Sequence, residues 1–446
     1  MRASNDKFRI SIFLLFLIVV GCGRRADAAV YNIRLLTDNT PDYTDIGYFV
    51  QSITGHLETP QDKCIAVWRW GRRSRRQTSN STEDGRLIWD PILHYNSYGT
   101  MNCGVISGLN IASWLQLGYQ ARYVQLGDHT VSEVSWDGGR SWHMFDSSMS
   151  FFCYNDAGAV AGCEEIKASN AGEFSEGRSE PGYYYYYHGA PQCITHRGKD
   201  AWRSCSDNPV GYDRTLANGA ASYTNGFSVD RYTLHARYGR RYILNLAPGQ
   251  SYTRYWRPMS AADCNLAGGG DDRDYYRPLR GKDPDTQHGL HNIRGNGVWV
   301  FKPTLRPGQY KRVIQSGRNL VAVPTGGLRP LRGDEPAEVV FKVNGANVIT
   351  SQTLRPTFVR DVPEETVALS VSTDNGLSWK EVWKAEAVGR LQPTVTLISE
   401  VNGAYEVLIR VSLSGRATLE SLEVRTITML NSKTQPSLNF GKNTIY

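Results

Sequence analysis

Three residues of this chain carry the side chains that covalent acyl transfer needs. Cys103 offers a sulfur nucleophile, His129 follows 26 residues later, and Asp146 comes 17 further on. A thiolate can attack an acyl carbon. An imidazole can take up and return the proton, and a carboxylate can fix the imidazole tautomer and favour its charged form. Any one of them alone has an ordinary structural explanation: a buried helix cysteine, half of a disulfide, or a turn histidine.

The elements around them decide whether they can meet. Asn102 suits an N-cap, and Val105, Leu109, Ala112 and Leu115 recur at helical spacing until Gly118 closes the helix. Cys103 is thereby expected in the first helical turn. There the unpaired N–H groups and the helix dipole favour a thiolate and can donate to an oxyanion. Residues 121–126 alternate as a strand, and Gly127-Asp128 forms a turn. His129–Trp136 and Ser141–Asp146 then read as a hairpin about Asp137-Gly138-Gly139-Arg140. A two-residue Gly-Gly turn pairs Asp137 with Arg140, Glu133 with Met144 and Val131 with Asp146. Side chains alternate along strands, so this register sets His129 and Asp146 on one face as diagonal neighbours, and a one-residue slip would part them. Asp128 is a competing carboxylate, but it faces the turn. Tyr98 and Asn96 are the upstream candidates for a further oxyanion donor.

The runs Gly99-Thr100-Met101-Asn102-Cys103 and His129-Thr130-Val131-Ser132-Glu133-Val134, with Phe145-Asp146, resemble the transglutaminase-like superfamily over about residues 40–150. The resemblance implies a papain-like transglutaminase core in which Cys103 is nucleophile, His129 base and Asp146 the orienting acid. Gly104 stands where that pattern has a polar or aromatic residue, and Ser147-Ser148 stand where it has Pro-Thr.

The N-terminus has the composition of an export signal. Arg2, Lys7 and Arg9 precede an apolar run, Ile10–Val20, which is short for a bilayer span. Val19-Val20-Gly21-Cys22 resembles a lipobox that would lipidate Cys22, whereas Ala26-Asp27-Ala28 would release a chain beginning near Ala29. Without residues 1–28 the net charge falls from +7 to about +4, which is no footprint of a nucleic-acid binder. Any membrane contact is then through a lipid anchor alone. Cys64, Cys153, Cys163, Cys193, Cys205 and Cys264 form an even set in an exported chain, enough for up to three disulfides.

The remaining sequence places the other domains. Ile46, Phe49, Val50 and Ile53 share one helical face. A second helix opens at Thr59-Pro60-Gln61-Asp62 and ends in Arg69, Arg72, Arg73, Arg75 and Arg76, which read as a solvated cationic end or a contact for an anionic polymer. Tyr183–Tyr187 reads as a buried strand or a sugar-stacking surface, and Gly268–Asp272 as a flexible acidic loop without specific calcium-ligand spacing. From Thr304 short alternating runs recur (Glu338–Val343, Val367–Val371, Val395–Ile398, Tyr405–Val411, Leu419–Ile427), as in an all-β sandwich. Ser135–Trp142 and Ser372–Trp379 both match the Asp-box pattern of sialidase propellers. Two copies so far apart make no propeller and read as hairpin turns.

The expected fold is α+β. A leader (1–28) precedes a catalytic core (30–205) in which the Cys103 helix packs on an antiparallel sheet. A β-rich middle region (206–303) and a C-terminal sandwich (304–446) follow, with a boundary at Arg306-Pro307-Gly308. The expected function is an exported cysteine enzyme that cleaves an amide or passes the acyl group to an amine, with no cofactor or metal. Its partner would be a protein or peptide substrate, or a cell-wall or extracellular polymer. The alternative is a catalytically silent fold that binds a glycan or protein at the cell surface. A sialidase-like glycosidase rests on the Asp boxes alone.

Overall fold

A computed structural model describes residues 28–168 apart from 39, 78–79, 84–85, 127–128, 149–151, 153 and 156. It also describes 239–256 and 295–436, and the short strands at 184–187, 190–193, 275–277 and 291–293. The leader with Cys22, the acidic loop 268–272, and Cys153, Cys205 and Cys264 lie outside these residues.

The N-terminal core begins with two amphipathic helices. Helix α1 (Ile46–Thr54) is capped by Asp45 and buries Ile46, Phe49, Val50 and Ile53, the face its spacing predicts. Helix α2 (Pro60–Arg73) has Thr59 as N-cap, whose hydroxyl accepts from the Asp62 N–H, and Pro60 in its first turn. Four two-residue strands follow: β1 (Arg76–Gln77), β2 (Thr82–Glu83), β3 (Arg86–Leu87) and β4 (Thr100–Met101). β1 runs parallel to β4, and β2 pairs with β3. Between β3 and β4 a short helix α3 (Pro91–Leu93) continues as a π-helical turn over His94–Tyr98.

Helix α4 (Cys103–Gln116) is the centre of this core. Val105, Ile106, Leu109, Ile111, Ala112 and Trp114 are all buried, because α1 and α2 cover one side and an antiparallel sheet the other. That sheet is β5 (Gln120–Leu126), β6 (His129–Ser135) and β7 (His143–Phe145), in that order. Ala121, Tyr123, Val134 and Phe145 face the helix. The free edge of β7 is covered by residues 160–163, where the Met144 N–H donates to the Ala161 carbonyl. Helix α5 (Cys163–Ala168) follows. The tyrosine run contributes β8 (Tyr184–Tyr187), which forms a two-stranded hairpin with β9 (Ala190–Cys193).

The C-terminal part is a two-sheet sandwich. One sheet contains β10 (Gln250–Arg254), β13 (Gly295–Phe301), β15 (Leu320–Ala322), β16 (Leu328–Pro330), β18 (Ile349–Arg360), β21 (Gly389–Leu391), β22 (Val395–Leu397) and β24 (Thr418–Met429). The other has the order β14 (Ser316–Arg318), β17 (Ala337–Asn344), β23 (Glu406–Leu413), β19 (Val367–Ser372) and β20 (Lys380–Lys384). A separate hairpin joins β11 (Tyr275–Arg277) to β12 (His291–Ile293). Val407, Ile409, Val411 and Leu413 alternate inward on β23 and meet Trp299, Phe301, Leu354 and Phe358 of the facing sheet. Each fully buried side chain of this size is worth about 1.5–3 kcal/mol.

Two features differ from the sequence reading. The sandwich begins upstream of the expected boundary, since β10 and β13 lie in its larger sheet and Leu244 lies in its core. Val30 also bridges to Leu246, so the first described residues run along the sandwich. The longest strands include β18, whose polar residues and Pro356 hide it. Its side away from β24 is unpaired between Leu354, on β22, and Phe358, on β21, which leaves room for a residue with no N–H.

The two parts meet across a seam. Ile88, Leu93 and Tyr98 pack with Val298, Val348, Ile427 and Met429. The Asn347 amide donates to the Asn96 carbonyl (2.8 Å), and that of Asn431 to the carbonyls of Ser74 (2.7 Å) and His94 (3.0 Å). Gly99 has φ +65°, and an added Cβ would lie 2.4 Å from the Asn431 side chain, so only glycine fits there. Among the described residues no helix is long and apolar enough to cross a membrane.

Candidate active site

Cys103 is the first residue of α4. The Asn102 side chain accepts from the N–H groups of Gly104 (3.1 Å) and Val105 (3.3 Å), and the Asn102 N–H donates to Asn80 (2.8 Å). These bonds fix where the helix starts. They also correct one expectation: the Gly104 and Val105 N–H groups are taken by the cap, not left for an oxyanion.

The thiols differ in exposure. Cys64 and Cys163 are buried, and burial pushes both well above the usual thiol range. Cys103 is half-buried. None of the three is in a disulfide, so the expected six-cysteine set loses two members, Cys64 and Cys163, to the core.

The helix and the hairpin are joined close to Cys103 and the start of β6. Ser107 lies one turn beyond Cys103 on the same helix face, and its hydroxyl donates to the Thr130 carbonyl (3.2 Å). The Tyr123 hydroxyl donates to the Gly104 carbonyl (2.7 Å). The start of β6, whose first residue is His129, is therefore held beside the first turns of α4. The His129 backbone pairs with Leu126; its side chain, like Asp128, lies outside the described residues. Across the hairpin Glu133 pairs with Met144 and Ser132 with Phe145. The ladder ends at the Ser132–Phe145 pair, one step short of the expected Val131–Asp146 pair.

The turn that sets this register is wider than two residues, since the ladder ends at Val134 and His143. The Asp137 carboxylate accepts from the N–H groups of Arg140 and Ser141 (both 3.0 Å) and from the hydroxyls of Ser135 (2.8 Å) and Ser141 (2.7 Å). The Ser141 bonds lead in holding it well below the usual carboxylate range. Gly138 and Gly139 take positive φ. The second Asp box repeats the device: Asp374 accepts from the Ser378 hydroxyl, the Ser378 N–H (3.0 Å) and the Ser372 hydroxyl (2.7 Å), and its pKa falls to about 2. Both motifs are hairpin turns.

Asp146 is buried, and its carbonyl accepts from the Trp68 indole (2.9 Å). Its neighbour Ser147 is tied to the Asn110 amide (2.8 Å) and the Trp68 carbonyl (3.2 Å). A second carboxylate, Glu133, is also buried. It pairs with the Arg122 guanidinium (2.7 Å) and accepts from the Cys163 N–H (2.6 Å). Arg122 in turn lies over Trp142 at 3.9 Å. Strand alternation, which sets Glu133 two residues from Val131 on one face of β6, is the signal in the sequence that points to it.

The upstream oxyanion candidates are engaged elsewhere. Tyr98 is buried at the seam, and its hydroxyl donates to Glu83 (2.7 Å), which also accepts from Tyr405. The Asn96 amide donates to the carbonyls of Tyr43 (2.9 Å) and Ile92 (3.0 Å). The arginine run is not wholly solvated either. Arg72 is buried over Trp68 at 4.5 Å, and Arg75 is buried among backbone carbonyls described below. Nothing in the sequence separates Arg75 from its arginine neighbours.

No protein-family model and no curated protein matches the chain. The solved structures it resembles include carbohydrate-binding modules. One is the C-terminal CBM6 of a laminarinase from Zobellia galactanivorans, at 9% identity and TM-score 0.20, covering 28% of this chain and 98% of that one. Another is the CBM36-1 domain of a xylanase from a Trinervitermes trinervoides hindgut metagenome, at 14% identity and TM-score 0.20, covering 28% and 95%. A third is a CBM61 in complex with β-1,4-galactotriose, at 12% identity and TM-score 0.15, covering 41% and 81%. At these scores the likeness carries no argument about what this chain binds.

Proposed function

We propose that the protein is an exported, transglutaminase-like cysteine enzyme acting on amide bonds. The observation that supports it is the joint placement of the half-buried Cys103 at a capped helix start and the start of β6 beside it. In the proposed cycle the Cys103 thiolate attacks the amide carbonyl, His129 protonates the departing nitrogen as the C–N bond breaks, and a thioester forms. Water or an amine, deprotonated by His129, then attacks the thioester and releases Cys103. Asp146 orients the imidazole. Iodoacetamide labelling across pH tests this. Wild-type Cys103 should react below neutral pH and the His129→Ala variant should not; an ordinary thiol profile in wild type overturns the reading.

A second reading keeps the core silent and gives the chain a binding role toward an extracellular glycan or protein. Affinity electrophoresis in polysaccharide gels separates the two: retardation equal in wild type and Cys103→Ala, with an ordinary Cys103 pH profile, favours binding alone. Mass spectrometry of the exported protein distinguishes a lipidated Cys22 from a free Ala29.

A further inference from the structure

We infer that Arg75 is a positioning residue for the Cys103 site, a role that rests on the enzyme reading above. Its guanidinium donates to three carbonyls: Met101 (3.1 Å) through Nη1, and Ser147 (2.8 Å) and Ser148 (3.1 Å) through Nη2. Met101 lies two residues before the nucleophile. Ser147 and Ser148 directly follow Asp146. One side chain thus joins the strand that delivers Cys103 to the segment that delivers the carboxylate.

The chemistry fits arginine and not lysine. The two anchored segments are far apart in sequence, and a planar fork with donors on separate nitrogens reaches both at once. An ammonium is a point donor on a flexible stem. The clamp is enclosed and its neighbours are hydrogen-bonded. Arg75 is 7% exposed, Ser147 is held by Asn110 and Trp68, and Ser74, its chain neighbour, accepts from Asn431 across the seam. Because the guanidinium stays charged, it also adds a fixed positive potential between the thiol's strand and the carboxylate's segment.

Peptide-resolved iodoacetamide labelling of the full chain tests this, with Arg75→Lys and Arg75→Ala beside wild type. Cys64 and Cys163 serve as internal folding reporters because both are buried. The expected result is a loss of Cys103 labelling rate at pH 6 of about tenfold or more in Arg75→Lys, on the scale that small misplacements cost. Labelling of Cys64 and Cys163 stays at the wild-type level, and the Cys103 profile moves to higher pH. An Arg75→Lys profile identical to wild type, while wild type retains reactivity at low pH, overturns the inference and leaves the enzyme reading standing. An ordinary thiol profile in wild type sinks both. Simultaneous labelling of all three cysteines in both variants would make Arg75 a general brace and also overturn it.

Discussion

Removing Glu133 should unfasten the hairpin that sets Asp146. The carboxylate has no solvent exposure, accepts from Arg122 through Nε (2.8 Å) and Nη2 (2.7 Å), and accepts the Cys163 N–H (2.6 Å). In Glu133→Ala, Arg122 loses this carboxylate while it keeps its place over Trp142, and the Cys163 N–H loses its acceptor. Breaking a buried pair from one side costs about 3–5 kcal/mol, and because the Arg122 side chain is 26% exposed the lower end of that range applies. The orphaned N–H falls within that range and is not added to it, because the two losses share one group. Glu133→Gln keeps the shape and one acceptor, so its cost should be smaller, about 1.5–3 kcal/mol. Urea unfolding followed by tryptophan fluorescence, with thiol labelling of Cys163, measures both. The expected order is wild type, Glu133→Gln, Glu133→Ala, with Cys163 becoming reactive in the last. A Glu133→Ala protein within about 0.5 kcal/mol of wild type, its Cys163 still protected, would refute the claim that this pair holds the hairpin.

Two further outcomes are expected. His94 is fully buried at the seam; its Nε2 contacts the Ile88 carbonyl (2.8 Å), and among the described residues its Nδ1 has no partner. Burial lowers its pKa to about 4. The unfolded chain then binds the proton more readily, so stability is full above about pH 6.5 and falls, by roughly 3 kcal/mol in all, as pH drops toward 4. His94→Phe should flatten that slope in urea titrations at successive pH values, and an unchanged slope would show that another group sets it. Inserting one alanine between Gly138 and Gly139 parts Asp137 from the N–H groups of Arg140 and Ser141. Low-pH labelling of Cys103 should be lost; if it persists, the strand ladder holds the register without the turn.

Local chemistry determined the elements around the candidate site. Asn102 and Gly118 bound the Cys103 helix because a side-chain acceptor caps one end and a residue at φ +82° can close the other. The hairpin register follows from strand alternation and an Asp-box turn, both short-range in sequence. The sandwich rhythm is legible for the same reason, since a half-buried strand repeats every two residues. Tertiary structure decided the rest. Alternation tells which side of β17 is buried but not that β23, over sixty residues away, will cover its edge. Tyr98 and Asn96 became seam residues because the sandwich brought Val298, Met429 and Asn347 to them. A run of arginines looks equally solvated at every position until the fold surrounds one of them with three carbonyls. That enclosure, and not the residue type, is what sets Arg75 apart.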